Sequence, residues 1–240
     1  MQHILLLHGA LGSADTLSPL KQELEGKYKI HTFDFSGHGE RAALDEPYSM
    51  RLFAGDIAVF LEKETIAQTH IFGYSMGGYA ALYFALQHPE RVSSIFTLAT
   101  KFAWSPETAV KETKMLDPIK VEEKVPAFAQ LLAQRHAPQD WKTVMRKTAD
   151  MMLHLGNAPV LTPDNLPMLQ VPVRVSVGDR DNMVSVEETV WAYQHLPNAS
   201  LMVLPATRHP LETIPTAKLA AELESFINTV TPQTAAVHQH

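Results

Sequence analysis

The stretch His70-Ile71-Phe72-Gly73-Tyr74-Ser75-Met76-Gly77-Gly78 decides how this chain is read. An apolar run stops at Gly73, turns through Ser75 and resumes as Tyr79-Ala80-Ala81-Leu82-Tyr83-Phe84-Ala85-Leu86, the pattern of a buried strand, a sharp turn and a buried helix. Glycines at 73 and 77 remove the side chains that would collide where strand and helix nearly touch. The turn therefore holds the Ser75 hydroxyl out at the carboxyl end of the strand. The helix begins at the same point, so its unpaired N–H groups and positive dipole end lie beneath any negative charge forming near the serine.

Upstream, Ile4-Leu5-Leu6-Leu7 runs into His8-Gly9-Ala10-Leu11-Gly12-Ser13, a buried parallel strand followed by a glycine-rich loop. A helix over Leu17–Glu25, a strand over Tyr28–Phe35 ending in Ser36-Gly37-His38-Gly39, and a helix over Met50–Glu64 come next. Downstream, Gln87-His88-Pro89-Glu90 stops the serine helix and Val92–Leu98 supplies a fourth strand. From Ala99 to Gln170 the alternation is suspended. Prolines at 106, 118, 126, 138, 159, 163 and 167 cut this stretch into amphipathic pieces, the longest over Gln139–Leu155, which reads as a helical insertion. Strand Val171–Gly178, helix Val186–His195, strand Ser200–Leu204 and helix Pro210–Asn228 then complete the pattern.

Alternating strands and helices imply a mostly parallel sheet with helices on both faces and right-handed crossovers, and a site beyond the carboxyl ends of the strands. Residues 1–98 and 171–230 are expected to form this α/β core, 99–170 the insertion and 231–240 a loose polar tail. At 240 residues and 45% hydrophobic content, one domain can bury a sizeable core. No apolar run approaches the ~18–20 residues of a membrane span, and Met1-Gln2-His3 lacks the basic start of a signal peptide, so a cytoplasmic location is expected. A net charge of -6 argues against general binding to nucleic acid or anionic membrane. The chain has no cysteine, which excludes a disulfide framework, a thiolate metal site and a cysteine nucleophile. His, Asp and Glu do not cluster at ligand spacing, and no phosphate loop or dinucleotide fingerprint appears. The expected partner is a small-molecule substrate, with no metal and no cofactor.

A serine hydroxyl is a poor nucleophile and needs a base that is itself held by a carboxylate. His209, in Ala206-Thr207-Arg208-His209-Pro210, follows the last strand and precedes the last helix, which makes it the candidate base. His8 and His38 sit early in the chain beside glycines, where a histidine commonly orders a loop. For the carboxylate, Gly178 is followed by Asp179-Arg180-Asp181-Asn182-Met183-Val184, and two aspartates compete.

The order Ser, Asp, His, together with Gly73–Gly78, the His-Gly loop after the first strand and Gly178–Val184 after a late one, resembles the α/β-hydrolase superfamily over nearly the whole chain. That resemblance implies an acid three residues after the glycine and three before an apolar residue, which selects Asp181 between Gly178 and Val184. It implies an oxyanion hole from the backbone N–H groups of Ala10 and Met76. It also makes the insertion a lid, with Trp104, Phe128, Trp141, Met145 and Met152 as candidates to line an acyl pocket. Two departures stand out. The chain starts at the strand carrying the His-Gly loop, so the sheet should have about six strands, and Arg208 stands before His209 where a glycine is common.

The expected activity is hydrolysis of a small or medium carboxylic ester or thioester through an acyl-enzyme on Ser75. Serine at this position argues against dehalogenase and epoxide hydrolase activities, which use Asp. Carbon–carbon bond hydrolases and the menaquinone-pathway lyase share the triad, and Gly73–Gly78 and Phe35–Gly39 are similar to the latter; Lys101, Arg135 or Arg146 would then supply positive charge to the pocket. A signalling or binding protein on the same scaffold is the third reading.

Overall fold

The structure is a computed structural model that describes residues 1–231. Its strands are β1 (His3–Leu7), β2 (Lys29–Thr32), β3 (Thr69–Tyr74), β4 (Val92–Leu98), β5 (Val173–Gly178) and β6 (Ala199–Leu204). They form a single six-stranded sheet in the order β2-β1-β3-β4-β5-β6, with every neighbouring pair parallel. Side chains alternate between the two faces of each strand, so both faces need cover. Leu5, Leu7, Ile71, Ile95 and Val175 enter one core. Ile4, Leu6, Phe72, Phe96 and Leu98 enter the other.

Helices α1 (Ser18–Leu24), α2 (Met50–Lys63) and α3 (Met76–Gln87) connect the first four strands. Four helices separate β4 from β5: α4 (Pro106–Thr113), α5 (Pro118–Lys124), α6 (Pro126–His136) and α7 (Trp141–Asn157). Helices α8 (Val186–His195) and α9 (Thr216–Val230) complete the order. α2, α3 and α8 pack on the first core, through Phe53, Ile57, Leu82, Phe84 and Ala192. α1 and α9 cover the second with Leu20, Leu24, Leu223 and Phe226.

Start signals in the sequence explain most helix beginnings. Ser49, Asp117, Asp140, Ser105 and Ser185 accept from backbone N–H groups of the first turns of α2, α5, α7, α4 and α8, the last two in capping boxes. α3 differs: Ser75 occupies its N-cap yet makes no capping hydrogen bond.

Several boundaries differ from the sequence-based expectation, among them the start of β5 at Val173 instead of Val171, and three are informative. β2 ends at Thr32, paired with Leu6 of β1, and Phe33 to Phe35 leave the sheet. Asp34 is drawn into the adjoining loops, where its carboxylate accepts from the N–H groups of Ala14 and Glu40. The last helix does not start at Pro210. A 3-10 turn over Leu211–Thr213 ends at Ile214 before Pro215, whose fixed φ and missing N–H place it at the start of a helix, and α9 begins at Thr216. α7 runs two residues beyond Leu155, to Asn157. The expected tail over 231–240 lies outside the described residues apart from Thr231.

Candidate active site

Ser75 sits where β3 meets α3, with φ 51 and ψ -117, a left-handed backbone that a residue with a side chain adopts only when its surroundings force it. The forcing contacts are visible. Ser75 N–H donates to the Leu98 carbonyl at 2.8 Å, and Thr100 Oγ1 donates to the Ser75 carbonyl at 3.1 Å. A Cβ on Gly73 would lie 2.4 Å from the Gly78 Cα, and one on Gly77 would lie 2.6 Å from the carbonyl oxygens of Leu7 and His8. Only a chain without side chains at both positions can bring β3, α3 and the end of β1 this close. Because Ser75 does not cap α3, its hydroxyl is left free at the positive end of a 12-residue helix.

The structure brings Asp181 and His209 together: Asp181 Oδ2 accepts from His209 Nδ1 at 2.8 Å. The Asp181 side chain is fully buried and its other oxygen accepts from the N–H groups of Met183 and Val184, each at 2.8 Å. Burial raises this carboxyl, but the His209 hydrogen bond and the two backbone donors outweigh it, so the group lies below the ordinary carboxylate range. Asp179 turns away, its Oδ1 accepting from Thr207 N–H at 3.2 Å. His209 is held from behind by Tyr74, whose hydroxyl donates to the His209 carbonyl at 2.9 Å. The Tyr74 contact has no sequence signal beyond its position next to Ser75. Arg208 needs no glycine in its place, because the left-handed residue of this loop is Ala206, at φ 54.

Ser75, His209, Ala10 and Met76 line one cavity of about 40 Å³. Ala10 and Met76 N–H donate to no protein acceptor among the described residues. Trp104 and Met152 also line this cavity. The other expected pocket residues do not: Phe128 is exposed on α6, while Trp141 and Met145 are buried in the first core, inside the packing of the insertion. Helical spacing shows which face of α7 is apolar but not what that face meets. Met151 and Leu155 of the same helix, Met50 at the start of α2, Tyr79 one turn after Ser75, Met183 and Val184 complete the apolar wall. Tyr79 was the most findable of these, since four residues after the serine places it on the same side of α3. Lys101 and Glu112 are the charged members of the wall. Among the described residues no group of three or more His, Asp or Glu is placed to hold a metal ion, and no helix is long and apolar enough to cross a membrane.

Behind the cavity the loop after β1 is tied to α6. The Leu11 carbonyl accepts from Arg135 Nη1 at 2.8 Å and His136 Nε2 at 3.2 Å, while His136 Nδ1 accepts from Gly39 N–H at 3.1 Å. His8 makes the matching pair of bonds, Nδ1 to the Gly9 carbonyl and Nε2 from Phe35 N–H, so it orders two loops. Burial pushes both imidazoles down to about 4. Each therefore stays neutral, donating from one nitrogen and accepting at the other.

Comparison with known proteins agrees with this geometry. A family model described as alpha/beta hydrolase fold matches residues 2–148. A Caulobacter sp. (strain K31) protein, provisionally named carbamate hydrolase RutD, is 25% identical over 92% of this chain and 89% of its own. The pimeloyl-[acyl-carrier protein] methyl ester esterase of Aliivibrio fischeri (strain MJ11) is 24% identical over 94% of this chain and 93% of its own. Among solved structures, a thermophilic esterase from Thermogutta terrifontis superposes with a TM-score of 0.77 at 20% identity, covering 96% of this chain and 90% of that one, a likeness of fold alone. With an all-parallel six-stranded sheet, a serine in a left-handed turn after its third strand and a family model spanning more than half its length, the chain belongs to the alpha/beta hydrolases.

Proposed function

We propose that the protein is a serine hydrolase that cleaves a small carboxylic ester or thioester through an acyl-enzyme on Ser75. The observation that carries this reading is the 2.8 Å contact of His209 Nδ1 with the buried Asp181 carboxylate, on the wall of the cavity that Ser75 also lines. Asp181 fixes the His209 tautomer, leaving Nε2 free to take the Ser75 proton as Oγ attacks the substrate carbonyl. The carbonyl oxygen gains negative charge and is met by the N–H groups of Ala10 and Met76, each such donor being worth ~10²–10³ in rate. His209 returns the proton to the departing alkoxide or thiolate. Water then repeats the sequence on the acyl-enzyme, releasing the carboxylic acid and restoring Ser75.

The relatives' esterase and hydrolase names support the class of reaction. The insertion's Trp104 and Met152 line the cavity, which supports its role as a lid. A lyase-like reading would draw on an unengaged cation near the serine. Arg135 is committed to the Leu11 carbonyl, and Lys101 lies between two carboxylates. The test is labelling with a fluorophosphonate followed by mass spectrometry. The adduct should sit on Ser75 and vanish in Ser75→Ala together with turnover of nitrophenyl acetate. An adduct on Ser13, Ser36 or Ser185, or stoichiometric acylation without turnover, would overturn the proposal, the latter in favour of a binding protein on a hydrolase scaffold.

A further inference from the structure

The wall facing Ser75 carries one ammonium and one carboxylate that the proposed chemistry does not use. Lys101, just past β4, lies 3.4 Å from Glu112 of α4 and 3.7 Å from Glu188 of α8, and its Nζ donates to the Met183 carbonyl at 3.1 Å. The Met183 carbonyl takes the ammonium's hydrogen bond, and the two carboxylates stand at ion-pair distance. Glu188 is also occupied, since Oε1 accepts from Phe102 and Ala103 N–H and Oε2 from Ser185 N–H. Glu112 is not. Its carboxylate meets only Lys101 among the described residues, although the residue is only 6% exposed. The unfilled acceptor capacity of this cluster therefore lies on a side chain of the cavity wall. A buried carboxylate with unused lone pairs is unfavourable unless a donor reaches it.

The rest of the wall points to the kind of donor. Met50, Met76, Tyr79, Met151, Met152 and Leu155 make it largely apolar, so a neutral donor enters at lower desolvation cost than an ammonium, which favours a hydroxyl. The cavity is small, about 40 Å³, and closed by Met151, Met152 and Leu155, which favours a short acyl chain.

We infer that Glu112 is a specificity-determining residue that accepts a hydrogen bond from the acyl chain, so that the site selects short hydroxyacyl groups and turns away acyl groups ending in a carboxylate. The inference rests on the proposed acylation of Ser75. A hydroxyl entering the cavity finds an acceptor that has no other partner. A carboxylate finds Glu112 as a like charge, and pairing with Lys101 would gather three carboxylates, with Glu112 and Glu188, around a single ammonium.

The experiment measures kcat/KM of the full chain for methyl butyrate, methyl 3-hydroxybutyrate and monomethyl succinate, by methanol release, in the wild type, Glu112→Gln and Lys101→Met. The wild type should favour the hydroxybutyrate over the succinate by at least about tenfold, the scale of one hydrogen bond to a charged group. Glu112→Gln should shrink that ratio about tenfold, because it removes the like charge. Lys101→Met should widen it by leaving Glu112 unpaired. A wild-type ratio near one or inverted, or a ratio in Glu112→Gln within twofold of the wild type, overturns the assignment of Glu112 while leaving Ser75 intact. The wild-type and Lys101→Met values decide the matter even if Glu112→Gln does not fold. Absence of Ser75-dependent turnover of all three esters overturns the hydrolase reading and this inference together.

Discussion

Lowering the pH from 7.5 to 5.0 should remove a large part of the stability of this protein through histidines that take no part in the proposed chemistry. Burial pushes the imidazoles of His8, His70 and His136 down to about 4 in the folded protein. In the unfolded chain they titrate near the ordinary value of about 6.5. At pH 7.5 both states are neutral and nothing is lost. As pH falls through 6.5 only the unfolded chain takes up protons, so stability drops until the folded imidazoles protonate near 4. At pH 5.0 the difference is about 2 kcal/mol for each histidine, or about 6 kcal/mol for the three, against a total stability typically of about 5–15 kcal/mol. His38, pushed well below its ordinary range first by burial and then by His8 and His136, acts in the same direction. Urea unfolding followed by circular dichroism at the two pH values measures the loss. His70 offers a control remote from the cavity, since among the described residues its Nδ1 meets only Ser94 Oγ, at 2.8 Å. His70→Asn removes one titration, and its loss between pH 7.5 and 5.0 should be about 4 kcal/mol instead of 6, whatever its stability at neutral pH. Equal urea midpoints at the two pH values, or an unchanged loss in His70→Asn, would refute the reasoning.

Other expectations concern the site and its frame. Asp181→Asn should lower kcat by up to ~10⁴, whereas Asp179→Asn, which loses only the Thr207 contact, should cost far less; equal small losses in steady-state assays would remove Asp181 from the mechanism. Over nitrophenyl esters from C2 to C12, kcat/KM should rise about fourfold per buried CH₂ from acetate to butyrate and decline beyond hexanoate, because the cavity is about 40 Å³; a maximum at C8 or longer would contradict that volume. Gly73→Ala places a methyl 2.4 Å from backbone and should cost about 3 kcal/mol or more, lowering Tm by roughly 6–12 °C in calorimetry, whereas Gly55→Ala in α2 meets no atom within 4 Å and should leave Tm unchanged or raise it.

The core of the fold was legible because its signals are local. Val92–Leu98 and Val186–His195 are continuous or periodic patterns bounded by Pro, Ser or a turn, and the observed β4 and α8 have those same limits. The choice of His209 from loop position also rests on topology alone, since the last strand and last helix deliver it to the rim that β3 and β5 share. What was not legible depends on which surfaces meet. Trp141 and Met145 follow helical spacing as well as Met152 does, yet only Met152 reaches the cavity. Glu112 carried no sequence signal, because a glutamate on a charged amphipathic helix reads as solvent-facing and its burial is created by Lys101 from another element.

The double hold of Arg135 and His136 on the Leu11 carbonyl ties the insertion to the loop after β1, which on the proposed mechanism would give the insertion a part in timing. The peptide whose carbonyl α6 holds also donates its Gly12 N–H to the Gly9 carbonyl at 3.1 Å, and the Gly9–Ala10 peptide carries the Ala10 N–H, so α6 is coupled to that N–H through this bond. An insertion that swings outward to admit an ester would carry this carbonyl with it and misalign the N–H proposed to steady the charged intermediate. The open molecule would then be idle, and closing would switch it on. On the proposed mechanism, bond cleavage would be confined to the interval in which the ester is enclosed.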